Sequence, residues 1–188
     1  MSKEVVLFRS KTGYTLQYAE WISKALKCDM IENRRLKVRD LEQYDTIILC
    51  GGVYLGTING FEFILKNWES LKKKKIYLLA VGLEQLNSER TEQIWNRGLT
   101  REQRNVISCH YALGGLNFPK LGFWDKWIMR IFKLMMMTTK AGQKKTNHFT
   151  RNLKHPVNYV DKEYIETLIN DVQSERDRKM QLTKYSTI

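Results

Sequence analysis

The chain has 188 residues, 43% of them hydrophobic and 11% aromatic. That is enough length for one domain with a sizeable core, and a composition too apolar for a disordered chain. A formal net charge of +12 and a pI near 9.6 favour an anionic partner: nucleic acid, a membrane surface or an acidic protein.

The first residues run directly into the strand-like Val5-Val6-Leu7-Phe8, without the pattern of a secretory signal. No uncharged apolar run approaches the ~20 residues needed to cross a bilayer. The expectation is a cytoplasmic protein, able to sit peripherally on the inner face of the cell membrane. Cys28, Cys50 and Cys109 are widely separated, as buried thiols are, and lack the paired spacing of a disulfide framework or a zinc site.

In chain order, Val5 to Arg9 reads as a strand buried on both faces. A turn, Ser10-Lys11-Thr12-Gly13-Tyr14-Thr15, leads into a helix to about Lys27, with Leu16, Ala19, Ile22, Ala25 and Leu26 at helical spacing. Cys28 to Glu32 makes a short second strand and Tyr44 to Gly51 a third. A glycine-rich loop, Gly51-Gly52-Val53-Tyr54-Leu55-Gly56, then precedes one helix carrying Phe61, Ile64, Leu65, Trp68 and Leu71. Ile76 to Val81 is a fourth strand closed by Gly82. A polar helical stretch spans Thr91 to Arg104, with Gly98 as a break, and Val106 to Ala112 is a fifth strand. Tyr164, Ile165, Leu168, Ile169 and Val172 face one side of a terminal helix. Residues 1–178 read as one domain with an insert at about 116–150, and 179–188 as a frayed tail.

Strands alternating with helices specify an α/β sandwich: a five-stranded parallel sheet of order 2-1-3-4-5 with helices on both faces. In such sheets ligands bind beyond the carboxyl ends of the strands, where the strand order reverses. Both glycine-bearing loops fall at that point. The first offers free backbone N–H groups and the positive end of a helix dipole, with hydroxyls from Ser10, Thr12 and Thr15 and a tight turn at Gly13. It is neither a Walker A loop nor a dinucleotide fingerprint, and it suits a monophosphate. An ordinary turn with capping hydroxyls is the plainer alternative.

Ser10 to Thr15 resembles the flavodoxin signature Ser/Thr-x-Thr-Gly-x-Thr after strand 1. Tyr44-Asp45 before strand 3, with Gly52-Val53-Tyr54-Leu55-Gly56 after it, resembles that family's second flavin loop. The resemblance implies a flavodoxin-like fold and FMN as cofactor, with Ser10, Lys11, Thr12, Gly13, Tyr14 and Thr15 at the phosphate. It places Gly52, Val53, Tyr54, Leu55 and Gly56, with Gly82, Leu83 and Glu84, beside the isoalloxazine ring. Tyr54 is suited to stack on that ring. The loop after strand 4 reads Gly82-Leu83-Glu84-Gln85 and lacks the second stacking aromatic of many electron carriers, which leaves one flavin face more open.

After strand 5 lies a basic, aromatic insert. Lys126, Arg130 and Lys133 form one stripe on a helix otherwise rich in large apolar side chains, with Trp124 and Trp127 suited to a membrane interface. Such a helix lies in a membrane interface or covers a lipophilic substrate; a buried core helix is the alternative reading. Ala112-Leu113-Gly114-Gly115-Leu116, Phe118-Pro119 and Trp124-Asp125-Lys126-Trp127-Ile128-Met129 together resemble the menaquinone-dependent protoporphyrinogen IX dehydrogenases. That resemblance implies an enzyme of heme biosynthesis that passes electrons from a porphyrinogen-like substrate to a quinone near an anionic membrane surface. The alternative is an electron-transfer flavodoxin with no substrate of its own, though such carriers are typically acidic. Nucleic acid fits the charge but no recognisable module is present. No metal ligand and no catalytic protein residue is assigned. His110, His148 and His155 lack ligand spacing, and the hydride chemistry of a flavoenzyme belongs mostly to the cofactor.

Overall fold

The structure, a computed structural model, describes residues 3–54, 56–117, 122 and 156–185. Glu4–Arg9 forms β1, Tyr14–Leu26 α1, Asp29–Glu32 β2, Thr46–Tyr54 β3 and Thr57–Ile58 β4. Then come α2 (Phe61–Lys66), α3 (Trp68–Leu71), β5 (Lys75–Gly82), α4 (Ser88–Gly98), α5 (Arg101–Val106) and β6 (Ile107–Leu113). Short strands β7 (Gly115–Leu116) and β8 (Val157–Asn158) precede the last helix, α6 (Glu163–Tyr185).

The main sheet runs β2-β1-β3-β5-β6, with β4 paired to β3. The five strands of the main path pair in parallel. This is the expected order 2-1-3-4-5, renumbered because the hairpin strand β4 intervenes. Period-two alternation divides the core into two layers. Leu49 and Leu78 point into one cluster with Ile64, Leu71 and Trp95 of α2, α3 and α4. Ile48 and Leu79 point into the other with Ala19 and Ile22 of α1 and Leu168 of α6. Each fully buried aliphatic side chain contributes about 1.5–3 kcal/mol, so both faces hold the sheet.

Several local readings are corrected. The stretch Gly51 to Tyr54 is strand, because Val53 and Tyr54 pair antiparallel with Ile58 and Thr57. Gly51 permits the return of that hairpin, since a Cβ there would stand 2.5 Å from the Asn59 carbonyl oxygen. The expected helix over Phe61 to Leu71 breaks at Asn67, whose side-chain amide donates to the Phe63 carbonyl at 2.8 Å. On α1 it is Tyr18, not Ala25, that completes the buried face, and Tyr164 is 38% exposed on α6. Gly98 does end α4, and Thr100 then caps α5 through a reciprocal pair with Gln103. Helix α6 continues past residue 179 to Tyr185, where the sequence suggests fraying.

Side-chain links bind α6 and the segment leading into it to the domain, among them the Tyr77 hydroxyl, which donates to the Asp171 carbonyl at 3.3 Å. Arg176 pairs with buried Glu4 at 2.9 Å and also donates to the Leu26 carbonyl at 3.1 Å. The Tyr18 hydroxyl donates to the Leu113 carbonyl at 2.6 Å and accepts from the Asp161 N–H at 3.1 Å. The Tyr18 bridge joins α1, β6 and the segment leading into α6. It lies directly below the carboxyl ends of the strands.

Candidate functional site

The turn after β1 closes on itself: Ser10 Oγ accepts the Gly13 N–H at 3.0 Å, which leaves the hydroxyl proton of Ser10 able to donate outward. Gly13 is the N-cap of α1 in the left-handed region, φ 98° and ψ −23°, a conformation that costs a side-chain-bearing residue about 1–2 kcal/mol. Among the described residues no side chain caps the helix, and its first turn carries no acid. The leading N–H groups and the positive end of the dipole therefore remain for an anion. Ser10 and Thr12 are half-buried, Lys11 is exposed and Thr15 is buried.

The end of β3 reaches this turn from the side. A Cβ on Gly52 would lie 3.4 Å from Thr15 Oγ1, ordinary van der Waals range, so the two segments are close neighbours there. Lys11 Nζ sits over the Tyr54 ring, 4.0 Å from its centroid. Tyr14 is held differently. Its ring packs on β7, where a Cβ on Gly115 would be 2.6 Å from Tyr14 Cζ. Its part in an anion site is thus its backbone N–H at the start of α1, not its phenol, whose pKa burial raises.

A second group of predicted residues gathers elsewhere. Val53, Gly56, Gly82, Leu83 and Glu84 line a cleft of about 490 Å³. Alternation along β3 explains the division: Gly52 and Tyr54 project to the α1 face and Val53 to the face of α2, α3 and α4. The cleft is completed by residues that sequence reasoning missed: Leu86, Arg90, Gln93 and Ile94 from α4 and the turn before it, and Tyr111 from β6. Tyr111 fits because Gly82 has no side chain, since a Cβ there would stand 1.9 Å from its hydroxyl oxygen. The hydroxyl donates to the Glu84 carbonyl at 2.7 Å. Burial, with the Glu84 charge adding to it, pushes its pKa up to about 12, so it stays a donor at any ordinary pH.

An aromatic therefore does stand at the loop after β5, supplied by the neighbouring strand. No motif announces it; only the β5–β6 register, which sets Ala80 opposite Tyr111, brings the ring beneath Gly82. Arg90 and Glu84 pair across the rim at 3.1 Å with both side chains substantially exposed, an arrangement that adds little stability and leaves Arg90 able to exchange partners.

Leu55 lies outside the described residues, as do the insert positions Trp124, Lys126, Trp127, Arg130 and Lys133, together with Asp125, His148 and His155. The chain leaves for that insert and returns from it through the antiparallel pair β7–β8, next to Tyr14. His110, on β6, has a buried Nε2 with no hydrogen-bond partner among the described residues. Asp171 Oδ2 stands 3.5 Å away without the alignment of a bond, and burial lowers the His110 pKa. All three cysteines are free thiols, and burial pushes Cys28 and Cys109 up to about 11. Among the described residues no group of His, Cys, Asp or Glu could hold a metal ion. No helix among them is long and apolar enough to cross a membrane.

A doubly wound parallel sheet, with an uncapped helix N-terminus at its switch point and two further strand ends beside it, defines a protein that binds a phosphate-bearing cofactor at its carboxyl edge. The sequence matches the flavodoxin domain family over residues 5–147, and the chain belongs to that family. No curated protein matches it. Among solved structures it is similar to Megasphaera elsdenii flavodoxin, 20% identical over 58% of this chain and 84% of that one, TM-score 0.42. It is also similar to the Trp repressor binding protein of Bacillus subtilis, 15% identical over 60% and 83%, TM-score 0.41. A third is a Streptococcus pneumoniae flavodoxin, 13% identical over 81% and 98%, TM-score 0.41.

FMN is the cofactor of the flavodoxin family, and the residues present fit it. The uncapped, acid-free start of α1 with the Ser10 hydroxyl suits a phosphate dianion.

Proposed function

We propose that this flavoprotein is an oxidoreductase that oxidises protoporphyrinogen IX, or a porphyrinogen-like lipophilic substrate, and passes the electrons to a quinone at an anionic membrane surface. The observation that carries the finer reading is the cleft beside the flavin loops. Its walls are apolar at Val53, Leu83, Ile94 and Tyr111, and Arg90 and Gln93 stand among them as donors. Such walls suit a large ring with carboxylate or carbonyl edges. The net charge of +12 favours anionic lipids and the propionates of such a substrate alike.

FMN, when bound, supplies reversible acceptance of two electrons. The work of the chain is to hold and to shield. The first turn of α1 with Ser10, Thr12 and Thr15 would hold the phosphate. Gly52 and Tyr54 would accommodate the body of the cofactor, and Tyr111 fixes the loop Gly82 to Glu84. Oxidation of a protoporphyrinogen to a protoporphyrin removes six electrons and six protons, so three quinones become three quinols.

The test is an anaerobic assay of flavin-loaded protein with protoporphyrinogen IX and a menaquinone analogue, read by porphyrin fluorescence. Quinone-dependent appearance of protoporphyrin supports the proposal. Flavin-loaded protein that exchanges electrons with a reductase yet leaves the porphyrinogen untouched is a carrier instead. Membrane association is tested separately by flotation with anionic vesicles. A Trp124→Ala, Trp127→Ala double variant is expected to lose vesicle binding, and unchanged binding would remove the insert from that role.

A further inference from the structure

The contact between Lys11 and Tyr54 has no place in the phosphate chemistry described above. Lys11 belongs to the turn after β1 and Tyr54 to the end of β3. The ammonium nevertheless stands 4.0 Å from the ring centroid. Three other lysine–aromatic contacts among the described residues are looser, at 5.2, 5.4 and 5.4 Å. The backbone behind the ring is also fixed, because Thr57 Oγ1 donates to the Tyr54 carbonyl at 2.8 Å and Tyr54 pairs with Thr57 across the hairpin. Where β3 passes the start of α1 the two segments are neighbours, a Cβ on Gly52 falling 3.4 Å from Thr15 Oγ1. Lys11 and Tyr54 thus form a side-chain bridge between the two segments.

We propose that Lys11 is a positioning residue for the flavin: its ammonium clasps one face of Tyr54 and so presents the opposite face to the cofactor ring. The proposal rests on the FMN reading of the site and is independent of any substrate. A cation over an exposed aromatic face contributes about 0.5–1 kcal/mol, which corresponds to roughly two- to five-fold in affinity. A lysine that acts through Tyr54 affects any flavin ring. A lysine that acts as a countercharge affects only a phosphorylated one.

The experiment is a fluorescence titration of the full chain with FMN and with riboflavin, for the wild type, Lys11→Gln, Lys11→Arg, Tyr54→Leu and the Lys11→Gln, Tyr54→Leu double variant. Thermal unfolding of each variant verifies that it is folded. Lys11→Gln is expected to weaken both flavins by the same two- to five-fold and to brighten the bound flavin as stacking loosens. Lys11→Arg should restore wild-type values, and the effect of Lys11→Gln should vanish in the Tyr54→Leu background. Loss of FMN affinity with riboflavin unaffected, or an undiminished loss without Tyr54, overturns the clasp and leaves the FMN reading standing. Wild-type protein that binds no FMN overturns both.

Discussion

The turn from Ser10 to Thr15 and the cleft beneath Gly82 lie at the same carboxyl edge of the sheet, yet they are built in opposite ways. The turn consists of consecutive residues and works mainly through backbone: a left-handed glycine, a serine closing the turn and a helix end left uncapped. The cleft is assembled from β3, the loop after β5, α4 and β6, and works through side chains. One strand divides them, since successive residues of β3 face opposite ways. The turn on one face of β3 can therefore stay fixed while the cleft on the other face varies. Substitutions on the two sides should then separate cleanly in their effects.

The strongest break in that comparison is expected from Gly82→Ala. The new methyl would occupy the Tyr111 hydroxyl position, so the ring must move and its bond to Glu84 is lost. Overpacking of this kind costs about 1–3 kcal/mol. Urea unfolding should register that loss, and the cleft should be altered while affinity for inorganic phosphate holds. Gly13→Ala is the converse. Nothing lies within 4 Å of the added carbon, so the cost is backbone strain alone, about 1–2 kcal/mol. It should reduce FMN affinity more than riboflavin affinity; an equal loss for both would place Gly13 outside the phosphate site.

Tyr111→Phe keeps the ring and removes only the hydroxyl. About 0.5–1.5 kcal/mol of stability should be lost, as for a typical hydrogen bond, and under the proposed oxidoreductase function turnover of the porphyrinogen should fall more than flavin affinity. The reverse ranking would make Tyr111 part of the flavin grip. The smallest effect concerns pH. Burial lowers the His110 pKa below its ordinary 6.5, so between that value and the folded-state value the unfolded chain binds more protons than the native one. Stability is then complete above about pH 6.5 and declines as pH falls through that window. His110→Gln should flatten this part of the stability–pH curve, and an unchanged slope would assign it to other groups. Flavin affinity of the variant at neutral pH should match the wild type.

How far the sequence foretells the molecule follows from the same division. Apolar runs such as Val5 to Leu7 and Ile47 to Cys50 reveal the parallel strands, because burial on both faces leaves no polar alternation to confuse the pattern. The phosphate turn is equally legible, since its chemistry is contiguous. The hairpin at the end of β3 is not: glycines at 51 and 52 mark a loop in any local reading. Only the returning Ile58 and Asn59 explain why Gly51 must lack a side chain within a strand. Tyr111 and Arg90 are silent for a similar reason, their places being set by strand register and by the start of α4. Tyr54 is legible as an aromatic near the flavin, but its partner Lys11 emerges only when the two segments meet.

The central claim is that the uncapped start of α1, with Ser10 and Gly13, holds the phosphate of a flavin. Titration of purified, flavin-free protein with FMN and riboflavin under identical conditions tests it most directly. A single charge-assisted hydrogen bond contributes about 1.5–3 kcal/mol, so FMN should bind at least roughly ten-fold more tightly than riboflavin. Equal affinity for the two, or no uptake of FMN, would contradict the account.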